Sequence, residues 1–297
     1  MTKNQEKTKE ALERIDNALA NIETDADWLQ FLGFSARFYR YSANNVLLIY
    51  AQRPDASYVK GFKAWHELGR YVRKGAKGIQ ILAPCFKKVE DFDEPENKAE
   101  YQDKKGEKVT MRVLSGFTVK YVFDLADTDG DDSQLPVLVK GLSGNGEYEN
   151  QMYESLKAVI STKHKVQEVT GIGAKGTYNR ETGVISVRSD LEALQKAKTI
   201  LHEFAHANDF AMNPDEEISR NRRELIAESV AYVVALRLGL DTSRYTMGYL
   251  QSWLKDKDEL KTVADTVQKV SAAIIETLAA SSDAAFVFLK EDSDNEG

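Results

Sequence analysis

Two of the four histidines in this 297-residue chain stand four positions apart with a glutamate directly after the first: His202-Glu203-Phe204-Ala205-His206. On a helix, positions i and i+4 share a face, so both imidazoles can reach one metal ion while Glu203 points at the ion's open position. So few histidines would give this pattern by chance about 0.01 times, which sets it well above a coincidence of surface residues. A hydrolytic zinc site takes a third protein ligand and leaves a fourth position to water. The run RRELIAESVAYVVALRLG offers two candidates, Glu224 and Glu228, one turn apart on a helix otherwise rich in Leu225, Ile226, Val230, Val233 and Val234. Buried carboxylates need a partner, and a cation is the obvious one. The bland alternative is surface pairing with Arg220, Arg222 or Arg223, which the apolar stripe disfavours more for Glu228 than for Glu224. Zn2+ is the expected ion, and His and Glu donors also suit Mn2+ or another divalent metal. Such a centre acidifies water towards pKa ~7 and polarises a peptide carbonyl, with Glu203 as the base that takes the proton.

Elements must hold these residues in place. Leu194, Ala197, Leu201, Phe204 and Ala205 form an apolar stripe on a helix predicted over 190–212 and ended by Pro214. Helices over 217–238 and 258–280 follow, and another precedes at about 149–160. Two short strands are expected at 165–169 and 183–187, separated by GIGAKGTYNRET. Tyr178 and the 183–187 segment are candidates for an edge strand that an extended peptide could join. Tyr232, Tyr245 and Tyr249 are candidate oxyanion donors by sequence proximity alone.

The first half reads differently. Helices are expected over 4–22, around Trp28, Phe31 and Leu32, over 44–52 and over 62–68, with strands at 79–82, 109–114 and 119–125. Residues 88–108 read as a charged insertion or hairpin tip, and the acidic run 126–136 as a turn closing the domain. The net charge of −7 hides a gradient: residues 53–88 hold nine Lys/Arg against two acids, whereas 91–134 hold six against twelve. In the basic stretch Lys60, Lys63, Arg70, Arg73, Lys74 and Lys77 interleave with Tyr58, Phe62, Trp65 and Tyr71. Cations beside aromatic platforms suit a single nucleic-acid strand, although the same aromatics also suit a core. Tyr41, Asn44 and Asn45 join the candidates, with a helix-capping role as the alternative for the asparagines.

One cysteine, Cys85, excludes an intramolecular disulfide and a cysteine-rich zinc knuckle. No run of eighteen apolar residues and no signal-peptide pattern is present, so a cytoplasmic protein with no membrane span is expected. The fold class expected is α+β in two domains: a small mixed α/β domain over 1–134 and a mainly helical one over 135–290, with a disordered acidic tail at 291–297. Oligomeric state stays open.

The second half resembles the thermolysin-like zincins, whose second helix carries Glu-x-x-x-Asp. That resemblance makes Glu224 the ligand and Glu228 the acceptor that orients His202 or His206, with Glu standing where the pattern has Asp; a longer acid there could reach the metal itself. Tyr41–Asn45 (Tyr-Ser-x-Asn-Asn), Gly61–Trp65, Leu68–Ile79 and the Phe-Asp strand 119–127 resemble the N-terminal single-stranded-DNA-binding domain of ArdC-type antirestriction proteins. The second half is similar to the peptidase domain that accompanies it, of the ImmA/IrrE group, and the whole is similar to LtrC-like proteins of Gram-positive conjugative elements. The resemblance implies a mobile-element protein that binds incoming single-stranded DNA, shields it from restriction, and carries a gluzincin-like metallopeptidase site for an unidentified protein or peptide. Two alternatives remain: a peptidase that cleaves a regulatory protein, and a DNA-protecting binder whose metal site is not catalytic.

Overall fold

The computed structural model describes residues 3–88, 112–133, 135, 146–214, 218–243 and 257–291. Three helices open the chain, α1 (Lys3–Ala20), α2 (Asp25–Ser35) and α3 (Ala43–Gln52). On α1 the predicted stripe Ala11, Ile15 and Ala18 is buried, as is Ile22 just beyond it. A capping box starts α2: the Thr24 hydroxyl accepts from the Asp27 amide and the Asp27 carboxylate accepts from the Thr24 amide. Ser42 caps α3 by accepting from the Asn45 amide.

Next come β1 (Val59–Gly61), α4 (Phe62–Glu67), β2 (Arg70–Val72), β3 (Ile79–Lys88), β4 (Arg112–Asp124) and β5 (Thr128–Gly130). β4 is central in a sheet ordered β1-β4-β3, antiparallel throughout, and β2 pairs with β5. The separate strands expected at 109–114 and 119–125 are one strand over their described part. The register passes from Cys85↔Gly116 to Phe86↔Leu114, so β4 carries an extra residue there, and Gly116 adopts the φ of 139° that this bulge requires. The insertion expected at 88–108 falls, apart from Lys88, outside the described residues. The acidic run is more than a turn, because its residues 128–130 form β5.

The second half consists of α5 (Gly146–Ile160), β6 (Val166–Val169), β7 (Gly176–Tyr178), β8 (Ile185–Arg188), α6 (Ala193–Met212), α7 (Arg220–Arg237), α8 (Lys257–Ala279) and α9 (Val287–Glu291). Its sheet is ordered β6-β8-β7, with β6 parallel and β7 antiparallel to β8. β7, inside the glycine-containing connector, is therefore one of the two edge strands, and the 183–187 segment supplies the central strand.

The architecture is mixed α+β, and one hydrophobic cluster runs from α1–α3 into α6–α8. Trp28 Nε1 donates to Ser229 Oγ at 3.0 Å, and Gln268 Nε2 donates to the Phe38 carbonyl at 2.8 Å, fixing α2 on α7 and α8 on the turn after α2. The helices of the first half thus brace the pair that carries the histidine motif. The boundary expected after residue 134 adjoins positions 136–145, outside the described residues, as does the tail beyond Glu291. No helix among the described residues is long and apolar enough to cross a membrane.

Candidate metal centre and cationic face

The predicted stripe on α6 is buried at all five positions, which fixes the helix's rotation and turns His202 and His206 towards α7. Ser219 caps α7 by accepting from the Arg222 amide, so Glu224 and Glu228 fall on successive turns facing α6. His202 Nε2 and His206 Nε2 lie 3.2 Å apart. Both oxygens of Glu224 face them, Oε2 at 3.4 Å from His202 and Oε1 at 3.8 Å from His206. Ligand atoms of these three residues lie within 4.8 Å of one another. Glu228 turns to the other side of His202, with Oε1 3.5 Å from Nδ1.

This arrangement fits a divalent cation. Two imidazole nitrogens aimed at each other cannot both hold a proton, and two imidazoles with one carboxylate make a donor set that suits zinc or manganese. The field asks for positive charge as well. Burial works against a charged His202, yet the Glu224 hydrogen bond and the Glu228, Glu203 and Glu224 carboxylates outweigh it and raise its pKa. His206, buried beside His202, is pushed down to about 4. The His202 contact, outweighing burial, holds the Glu224 carboxyl below its ordinary value.

Glu203 sits on the same helix, buried, with its carboxyl pushed up to about 7 by desolvation against the pull of His202. It accepts from the Tyr178 amide of β7. β7 reaches it because residue 176 is glycine: a Cβ there would stand 2.5 Å from Thr199 Cγ2 and 2.9 Å from Glu203 Oε1. The donors open into a cleft of about 860 Å³ lined by Ala174–Tyr178 along one side and by α6 and α7. A convergent donor set, a buried carboxyl raised by desolvation and an edge strand thus lie together in one cleft.

The sequence reading missed several participants. Lys198, one turn before His202, is buried and its Nζ lies 2.5 Å from Glu228 Oε2. Phe210 lines the cleft between the guanidinium groups of Arg223 and Arg180, 4.2 and 4.7 Å from its ring centroid. Arg223 pairs with the buried Asp209 at 2.8 Å. Tyr232 is a core residue that does not line the cleft, so its candidacy as an oxyanion donor fails; Tyr245 and Tyr249 lie outside the described residues.

The candidates for nucleic-acid contact divide in two. Trp65 is fully buried and its Nε1 donates to the Phe123 carbonyl at 2.9 Å, which rules out a stacking platform in this conformation. Asn45 bonds both backbone groups of Leu82, donating at 2.9 Å and accepting at 2.8 Å, and Gln52 does the same for Gln80. These two amides of α3 close the outer edge of β3, so Asn45 serves the sheet. Tyr41 donates to the Val59 carbonyl at 3.3 Å, and Asn44 is half-buried on α3. Lys60 is buried beside the Tyr58 ring. Arg70 is buried too, bonding Thr128, the Gly130 carbonyl and Asp132, while Arg73 bonds the Ala126 carbonyl and Asp129. Much of the basic stretch is thus countered by the acidic run that follows it. Lys63, Lys74 and Lys77 remain exposed, with Phe62 at 61% and Tyr71 at 58% exposure among them. Phe62 meets Phe123 edge-on, and two residues along the same face of β4 stands exposed Tyr121, with Lys7 over its ring. Strand alternation could have signalled Phe117 and Tyr121 as outward aromatics.

Fold and site together define an α+β protein with a two-histidine, one-glutamate centre on a helix pair. Residues 5–119 match the family described as the N-terminal domain of anti-restriction factor ArdC. The chain is 23% identical over 294 residues to the uncharacterized protein pXO2-81 of Bacillus anthracis, covering 89% of this chain and 49% of that one. It therefore spans about half the length of that relative. Among solved structures it is similar to the antirestriction ArdC protein from the R388 plasmid. The Mn(II)-bound form matches at 20% identity and a TM-score of 0.50, covering 81% of this chain and 86% of that one, and so shares the fold. The metal-free form matches at 22% identity and a TM-score of 0.49, covering 80% and 85%.

Proposed function

We propose that the chain is an antirestriction protein that pairs a single-stranded-DNA-binding face with a metal-dependent peptidase site. The observation that carries the catalytic part is the convergence of His202 Nε2, His206 Nε2 and the Glu224 carboxylate beside a buried Glu203. Zinc is the first choice of ion, and the Mn(II)-bound form of the R388 protein makes manganese the second. When bound, the ion supplies Lewis acidity towards water and a carbonyl oxygen. Glu203, held near neutrality by burial, takes a proton from the attacking water and returns it to the leaving amine. The β7 edge offers backbone groups to an extended peptide, which orients the scissile bond across Glu203. Glu203→Gln keeps the shape and removes the base. Peptide hydrolysis by that variant is expected to drop by about 10²–10⁴-fold with metal content unchanged, and a variant that still cleaves would sink the peptidase reading.

The DNA part rests on Lys63, Lys74 and Lys77 beside Phe62 and Tyr71, a phosphate-neutralising and base-stacking combination. The match of residues 5–119 to the ArdC N-terminal domain family supports the same reading.

A further inference from the structure

We infer that Lys198 is a positioning residue that keeps Glu228 off the metal and on His202, so that the centre holds three protein ligands rather than four. The inference rests on the metal-centre reading above.

α7 presents two chemically identical carboxylates, Glu224 and Glu228, one turn apart, and both lie within 3.5 Å of His202. Their placements differ. Glu224 faces the two Nε2 atoms, whereas Glu228 has one oxygen on His202 Nδ1 and the other 2.5 Å from Lys198 Nζ. Lys198 reaches that oxygen because it stands four residues before His202 on the same face of α6. The side chains of the pair are 7% and 15% exposed, so neither charge is balanced by bulk water.

The ion pair fixes the direction of Glu228 and thereby the tautomer of His202. Glu228 Oε1 stands 3.5 Å from Nδ1, so a proton on Nδ1 faces a carboxylate, and the lone pair is then on Nε2, where the ligand position lies. Without the ammonium, Glu228 would be a buried carboxylate next to Glu203 and Glu224, and the strongest remaining cation in reach would be the metal. A glutamate at 228, longer by one methylene than an aspartate, has that reach. Its coordination would occupy a position that a hydrolytic site leaves to water.

The test uses the full chain, stripped of metal and loaded with Mn(II). Bound metal is counted by elemental analysis, folding is followed by thermal unfolding, and ion hydration is read from water-proton relaxation. Lys198→Met and Lys198→Leu are two uncharged replacements of different length, and either one that folds carries the test. The enhancement per bound Mn(II) is expected to fall by about a third, one of the three positions that three protein ligands leave on an octahedral ion. Lys198→Arg, which keeps the charge, should match the wild type, and adding Glu228→Gln to the uncharged variant should restore the wild-type enhancement. Unchanged hydration in the uncharged variants overturns the inference alone. Wild-type protein that takes up no metal overturns the metal-centre reading and this inference with it.

Discussion

Two charged clusters, one around Arg70 and one around His202, are built from similar material and end in opposite arrangements. Around Arg70 the guanidinium finds Thr128, the Gly130 carbonyl and Asp132, and neighbouring Arg73 and Arg53 find Asp129 and Asp127. Donors meet acceptors and the cluster closes on itself. Around His202, two imidazoles and a carboxylate turn towards one another, and the nearby Lys198 is held by Glu228. Imidazole nitrogens and carboxylate oxygens that converge in this way suit a cation from outside the chain. What separates a structural clamp from a ligand site is therefore the pairing of polar atoms, which the charge balance along a sequence does not reveal.

The largest expected effect tests whether the first region is scaffold. Trp65→Ala removes a fully buried indole and leaves the Phe123 carbonyl without its donor, so it should cost about 3–5 kcal/mol in chemical denaturation. A loss below about 1 kcal/mol would return Trp65 to the surface. Next comes the edge strand over Glu203. Gly176→Ala forces Glu203 or Thr199 to move, and peptide hydrolysis should fall by about 10²-fold while metal content stays at the wild-type level. Equal loss of metal and activity would show instead that the whole site had collapsed. The smallest effect concerns the cationic face. Lys74→Ala with Lys77→Ala should reduce the salt slope of single-stranded-DNA binding by about 1.4, at about 0.7 for each phosphate left without its lysine, with little change in stability. An unchanged slope would move the DNA-binding surface elsewhere.

The helices were legible because their apolar periodicity is local, and so was the metal motif, whose ligands are spaced by the helical turn. Glu224 and Glu228 were both visible, and their division of labour came from the resemblance to the zincins; what the sequence did not offer was Lys198 as the partner of Glu228, thirty residues away. A lysine inside an apolar stripe reads as solvated until its partner is known. Of β7 only Tyr178 was named as an edge-strand candidate, because three residues, Gly176, Thr177 and Tyr178, carry no alternation to detect. In the first half, Tyr41, Asn45, Trp65 and Arg70 drew notice as pieces of recognisable motifs. Their polar atoms are engaged with backbone or with the acidic run, which indicates that those motifs mark the scaffold. Composition placed cations and aromatics in one stretch without showing which faced solvent.

In the proposed centre His202, His206 and Glu224 hold a divalent ion while Glu228 stands behind His202. Its most direct test is metal per chain in Glu224→Ala and Glu228→Ala, measured after identical loading and exhaustive dialysis. Glu224→Ala should come out without stoichiometric metal, and Glu228→Ala should bind it with affinity weaker by about 10–100-fold. Stoichiometric, tight metal in Glu224→Ala, with none in Glu228→Ala, would contradict the assignment.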